Sequence, residues 1–194
     1  SEIYSNITQN TLYRAIVQNG VCAPAYSDTI TLTIVPNAIG GNILGATTVC
    51  ASGNAGNLTL VGFLSSVVTW EISTDGISYV PNGNITITQP YAALAATTYY
   101  RVRVGSGTCP EDTSVVAIMT VDQPSVGGAV TIDDTVCAGA NNDTLNLAGH
   151  TGAVVQWEVS EDNGTTWFTL SNLTTSQIYN NLLTTSLFRV RVQN

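Results

Sequence analysis

The sequence predicts an all-β chain, a linear array of tandem β-sandwich repeats of about 87 residues each. Three observations predict it. The first is an internal period: Cys22 recurs as Cys109, Cys50 as Cys137, Trp70 as Trp157, and Gly40-Gly41 as Gly127-Gly128, each 87 residues on. A fixed period of this size marks a repeat architecture, one structural unit per period. The second is composition. Thr, Val, Ile, Ser, Gly and Asn dominate, only 9% of residues are charged and one Met occurs, a mixture of β-branched residues and turn formers that suits short strands. The third is strict alternation. Val68, Trp70 and Ile72 alternate with Thr69, Glu71 and Ser73, and Tyr100, Val102 and Val104 alternate with Tyr99, Arg101 and Arg103. Period-two patterning gives a strand one buried face and one outer face.

The organisation follows from the period. Ser1 aligns with Ser176 and Asn194 with Asn19, so residues 1–35 read as the C-terminal part of one repeat. Residues 36–123 are then a complete repeat and 124–194 the N-terminal part of a third. The linkers VPNAIGG (35–41) and VDQPSVGG (121–128) carry Pro and paired Gly directly after an alternating strand, a boundary signature.

In the complete repeat, strands are expected at about 42–49, 57–61, 67–73, near 84–88 and 91–94, at 98–104 and at 115–121. Asp75-Gly76 is a hairpin turn, matched by Asn163-Gly164. This count of short strands, with a tryptophan on the third, is that of an immunoglobulin-like sandwich. Trp70 and Trp157 are the expected core signature, together with Tyr100 and Phe188 on the inner face of the strand that precedes the second Cys.

Charge narrows the function classes. The net charge is −8, and all five basic residues are Arg: Arg14, Arg101, Arg103, Arg189 and Arg191. No basic cluster exists to bind nucleic acid or an anionic membrane, and no apolar run approaches the roughly 18 residues that would span a bilayer. The arginines occupy the outer face of one strand in every copy. They read either as a ligand-contact ribbon or, preferred here, as cross-strand partners of Glu71 and Glu158. Such pairs, if exposed, contribute about 0.2–1 kcal/mol.

One Cys near each end of a repeat suggests a disulfide framework and an extracellular setting. Two patterns are open. Cys50 can pair with Cys109 inside one repeat, leaving Cys22 and Cys137 to partners beyond this sequence, or Cys22 can pair with Cys50 and Cys109 with Cys137. The first is favoured, because bridged Cα atoms must approach within roughly 7 Å and the second joins different units. In the chain-entropy model a bridge closing so long a loop stabilises by about 4 kcal/mol.

Catalytic constellations are not evident, so the chain is read as no enzyme and as needing no cofactor or metal. His150 is the single histidine and aligns with Phe63. Asp75 with Glu71, and Asp162 with Glu158, could be called paired carboxylates, but each pair recurs in a hairpin where turn and surface roles are expected. Glu161, Asp162 and Asn163 are a weak candidate calcium site. Asn-x-Thr occurs at Asn6, Asn57, Asn84 and Asn172.

The elements GG-x-I…TVC-x-SG…LTL-x-G (40–62), WE-x-STDG (70–76) and TYYR-x-x-V…G-x-C (98–109) resemble the Ig-like repeats of giant Bacteroidota surface proteins, in particular SprB-type gliding-motility adhesins. The resemblance implies type IX secretion, a cell-surface location, and a long filament for adhesion and gliding motility. Its partners would be neighbouring repeats of the same chain, external surfaces or polysaccharides, and the gliding or secretion machinery. Neither nucleic acid nor membrane insertion is implied. Alternatives are a carbohydrate-binding module with exposed Tyr79 or Tyr99, or a spacer in a secreted multidomain enzyme. Asp28-Thr29-Ile30, Asp134-Thr135-Val136 and Asp143-Thr144-Leu145 are similar to the O-glycosylation sequon of the same phylum, with Thr29, Thr135 and Thr144 as acceptors.

Overall fold

The computed structural model describes residues 3–51, 53–131 and 133–194; Ser1, aligned above with Ser176, lies outside them. Among the described residues there is no α-helix. The strands in chain order are β1 (Thr11–Tyr13), β2 (Ile16–Val17), β3 (Ala25–Tyr26), β4 (Ile30–Leu32), β5 (Asn42–Leu44), β6 (Thr48–Cys50) and β7 (Ala55–Val61). They continue with β8 (Ser66–Ser73), β9 (Val80–Pro81), β10 (Thr88–Ala92), β11 (Thr98–Gly105), β12 (Asp112–Thr113) and β13 (Ala117–Asp122). The last are β14 (Ala129–Thr131), β15 (Asn142–Ala148), β16 (Ala153–Ser160), β17 (Phe168–Leu170), β18 (Ser176–Asn180) and β19 (Leu187–Gln193).

The chain divides into two compact units, one of Ser1–Ala46, Asn57–Pro90 and Tyr99–Ile118, the other of Thr47–Gly56, Tyr91–Thr98 and Met119–Asn194. In the first unit β1 pairs with β4 and β2 with β3, all antiparallel. Across residues 42–122, without regard to that division, one three-stranded sheet has the order β10-β7-β5; a larger one has the order β6-β13-β11-β8-β9, with β12 also on β11. In the second unit β14-β15-β18 and β17-β16-β19 form two sheets. Their inner faces close on Leu145, Leu147, Trp157 and Tyr179, with Val130, Val154, Leu170, Leu182, Phe188, Val190 and Val192 packed around them. Two sheets facing each other over alternating apolar side chains make a β-sandwich.

Alternation sets the register. β8 runs antiparallel to β11 with Trp70 opposite Val102 and Ile72 opposite Tyr100, and all but Ile72 of these are buried. β16 meets β19 in the same way, Trp157 opposite Val190 and Val159 opposite Phe188. Both ladders are interrupted by a register shift, which passes over Val68 in one and Val155 in the other, so even the bulge obeys the period.

Two expectations are corrected. The strand expected over 42–49 is divided: β5 pairs with β7, whereas β6 pairs in parallel with β13, so the two halves serve different sheets. The two strands expected near 84–88 and 91–94 are one, β10, because residues before Thr88 form a turn built on Asn84. That Asn accepts the Thr86 N–H at 2.9 Å and donates to the Thr88 carbonyl at 2.8 Å.

The paired glycines of the linkers have a steric cause. Gly41 and Gly128 have φ of +75° and +71°, and a Cβ at either would lie 2.4 Å from the carbonyl oxygen of Val61 or Ala148. Only glycine meets both conditions. Each glycine adjoins a small bridge, Ile39 with Leu64 and Val126 with Thr151.

Candidate functional site

The most strongly repeated polar construction lies on the outer face of β8 and β11. Glu71 and Arg101 are direct cross-strand neighbours, so their side chains emerge side by side. Arg101 Nε donates to Glu71 Oε2 at 2.6 Å, and Arg103 Nη1 approaches the other carboxylate oxygen at 3.5 Å. Arg103 also binds Glu111, with Nη2 to Oε2 at 2.5 Å; this acid holds the guanidinium pKa above its usual value. The Arg101 guanidinium carbon stands 3.9 Å over the Tyr79 ring. Glu71 thus lies beneath a guanidinium that is itself stacked on an aromatic.

The next copy repeats the stack. Arg189 Nε donates to Glu158 Oε2 at 2.5 Å, and its guanidinium lies 3.9 Å over the Trp167 ring. The Arg189 hydrogen bond, then Gln156, holds the Glu158 carboxyl below its usual pKa against the opposing effect of burial. In the segment before Val35, Arg14 stacks on Tyr26 at 4.0 Å. The cross-strand reading of the arginines therefore stands, with one correction. The pair in the central repeat is not a solvated surface pair, because the Glu71 side chain is only 6% exposed. Tyr79, offered above as a sugar platform, has Arg101 on its ring, and Tyr99 packs against the Gly76 turn.

On the inner face, Trp70 and Trp157 are fully buried. Their indole N–H groups donate to the carbonyls of Thr86 and Thr174, at 2.7 and 2.8 Å. Each tryptophan fills the core and ties its strand to the turn that leads into the opposite sheet.

The candidate carboxylates of the hairpins are turn caps. Asp75 Oδ1 accepts the N–H groups of Ile77 and Ser78 and the Ser73 hydroxyl. The backbone donors, before the hydroxyl, depress its pKa. Asp162 accepts the Thr166 hydroxyl and N–H and the Ser160 hydroxyl, which pull its pKa down to about 2. Asp162, not Asn163, is hence the counterpart of Asp75, and Asn163, at φ +58°, is the inserted residue of the longer turn. Of the side chains proposed for calcium, the Asp162 carboxylate is engaged by the turn, and no group of three metal-ligating side chains lies together among the described residues. His150 is half-buried in the loop after β15.

Sequence reasoning missed a polar lock. Asn54 Nδ2 donates to the carbonyls of Cys50 and Leu94, and its Oδ1 accepts the Leu94 N–H. Asn141 makes the same three bonds to Cys137 and Leu182. The 87-residue spacing from Asn54 to Asn141 was the available signal. Asn84 and Asn172, noted above only as Asn-x-Thr motifs, are likewise structural. Their amides donate to Thr88 and Gln89, and to Ser176 and Gln177.

Cys109, expected to bridge to Cys50, is a half-buried thiol whose Sγ donates to the Val35 carbonyl at 3.3 Å, so it faces the preceding linker. Cys22 and Cys137 are exposed thiols. Of the threonines, Thr29 and Thr135 are exposed and Thr144 is half-buried on β15.

A family model described as "Domain of unknown function (DUF8696)" matches residues 2–36, 39–123 and 126–194. The chain belongs to the DUF8696 family. Among solved structures, domains A168–A170 of titin match with TM-score 0.47 and 16% identity, covering 95% of this chain and 69% of that one. The FN1–FN3 domains of chicken CNTN1 match with TM-score 0.33 and 13% identity, covering 95% and 70%. A search of the curated proteins finds no match. In this DUF8696 chain the recurrent polar groups bind one another, and their chemistry is that of a repeated scaffold.

Proposed function

We propose that this chain is a structural segment of a long extracellular adhesin filament on a bacterial surface, serving adhesion and gliding motility. Its repeats are taken as residues 1–35, 36–123 and 124–194. The observation that carries this reading is the recurrence of one complete internal construction in successive copies: buried tryptophan, arginine stack and asparagine lock. Repeats whose cohesion is local suit a serial array, where stability is roughly a sum over units and their neighbours. Thr29 and Thr135 are exposed, which suits O-glycan acceptors; Thr144, half-buried, is the less accessible third. The resemblance to SprB-type adhesins supplies the cell-surface and type IX secretion parts of the proposal.

The test is immunogold labelling of intact source cells with antibody to residues 36–123, alongside surface attachment and gliding of a strain deleted for the repeats. Labelled filaments and lost attachment are expected. Label seen only after lysis, or attachment unchanged by the deletion, refutes the proposal. Specific binding of purified repeats on a glycan array would favour a carbohydrate-binding module instead.

A further inference from the structure

β6 and the C-terminal half of β13 lie in the same compact unit and pair with each other. The pairing is parallel: Thr48 is opposite Thr120, Val49 opposite Val121, and Cys50 opposite Asp122. The Ala51 N–H continues it, donating to the Asp122 carbonyl at 2.8 Å. β13 is tied again where the chain leaves it. The Val121 N–H donates to the Thr97 hydroxyl at 3.3 Å, and the Gln123 side-chain amide to the Ala95 carbonyl at 3.3 Å. Val121 is buried, while Thr120 and Asp122 are exposed.

The direction of this pairing decides how it meets a pull along the chain. The pairs β5–β7, β8–β9 and β8–β11 are antiparallel; β6–β13 is parallel and joins a strand near the start of the repeat to its last one. The chain enters β6 at Thr48 and leaves β13 at Asp122. Tension therefore draws β6 towards its Thr48 end and β13 towards its Asp122 end. In a parallel pair those directions are opposed along one axis, so the strands are sheared past each other and the ladder bonds carry the load together. Were the pair antiparallel, the loaded ends would lie side by side and the bonds would open one at a time. β5 comes first in the load path, through its three-residue ladder with β7; whether it holds or yields, β6 is the next strand loaded. Both clamp strands recur in the sequence, Thr48-Val49-Cys50 as Thr135-Val136-Cys137, and the alternation of Met119 and Val121 as Leu32 and Ile34.

We propose that β6 and β13 form a mechanical clamp, repeated with the period of the chain, that keeps each sandwich closed under tension. The resisting bonds are those of the Thr48–Cys50 and Thr120–Asp122 ladder, with the Ala51 bond to Asp122 at its far end. A serial array stretched between its ends loads every such clamp equally, so its strength is that of one clamp and its reach that of all the repeats. That tension acts on the chain rests on the filament reading above. The direction dependence of the clamp does not, so the two readings fail by different experiments.

The test is single-molecule force unfolding of the 194-residue chain through covalent handles on two pairs of residues. Handles at Thr47 and Gln123 load β6 against β13 in shear. Handles at the register partners Thr48 and Thr120 unzip the same ladder. All four positions are exposed, so the two chains differ in the direction of pull and not in the fold. The rupture force in shear is expected to be at least about twofold the unzipping force, because several ladder bonds rather than one resist at once. Ala51→Pro removes the N–H that binds Asp122. It lowers the shear force and leaves the unzipping force unchanged, because that bond is the last to open from the Thr48 end. Equal forces in the two directions, a larger force through Thr48 and Thr120, or a shear force indifferent to Ala51→Pro would overturn the proposal.

Discussion

Arg101→Ala is the most informative perturbation of the scaffold, because it separates a solvated ion pair from a structural one. The guanidinium it removes supplies the 2.6 Å bond to Glu71 and the cover of the Tyr79 ring, and leaves Arg103 at 3.5 Å as the second cation on that acid. A hydrogen bond to a charged partner contributes about 1.5–3 kcal/mol, and removing it from a carboxylate that stays buried costs near the full desolvation penalty. Arg101 is itself 34% exposed, so screening brings the value to the lower end. The ring contact adds about 0.5–1 kcal/mol. The substitution should therefore destabilise the central repeat by about 2–3 kcal/mol. In the double mutant with Glu71→Gln the loss should be about 1–2 kcal/mol less than the sum of the singles. Native-state hydrogen exchange in urea, read on peptides from β8 and β11, measures that repeat alone. Arg189→Ala should have the smaller effect on β16 and β19, because the Arg189 side chain is 53% exposed and Glu158 less buried than Glu71. A loss below about 0.5 kcal/mol for Arg101→Ala, or no coupling to Glu71, would show that the stack is ordinary surface charge.

Three further outcomes follow from the same geometry. Asn141→Ala deletes three hydrogen bonds at a buried site, and should cost about 2–3 kcal/mol, seen as faster exchange of the Asn181 and Leu182 amides. Gly128→Ala imposes φ +71° on a side chain that meets a carbonyl oxygen, and should lower stability by about 1–3 kcal/mol in urea unfolding, whereas Gly127→Ala, with nothing within 4 Å of its Cβ, should not. The Asp162 carboxyl should titrate near 2 by carbon-detected NMR. Its pKa is depressed in the fold, so its contribution to stability is present above the unfolded carboxylate value of 3.8 and is lost as pH falls through 2; Thr166→Val should move the midpoint upward.

What the sequence discloses here divides by physical cause. Alternation on β8, β11, β16 and β19 is a period-two signal, so the faces carrying Trp70 and Val102, and Glu71 and the arginines, were readable without coordinates, whereas the register that sets Arg101 rather than Arg103 opposite Glu71 was not. The division of the first strand between two sheets was missed, although Gly45, at φ +95° directly after β5, marks the break; the different partners of β5 and β6 show only in the coordinates. Polar locks sit between these cases. Asn54 has no alternating neighbours and no charge, and in a single repeat it is indistinguishable from any loop asparagine. Its spacing to Asn141 makes it visible, and so does the spacing of Asn84 to Asn172. The cysteines mark a limit of the same comparison. Constant spacing shows only that two positions are equivalent. It does not show which way a thiol faces, and Cys109 faces Val35.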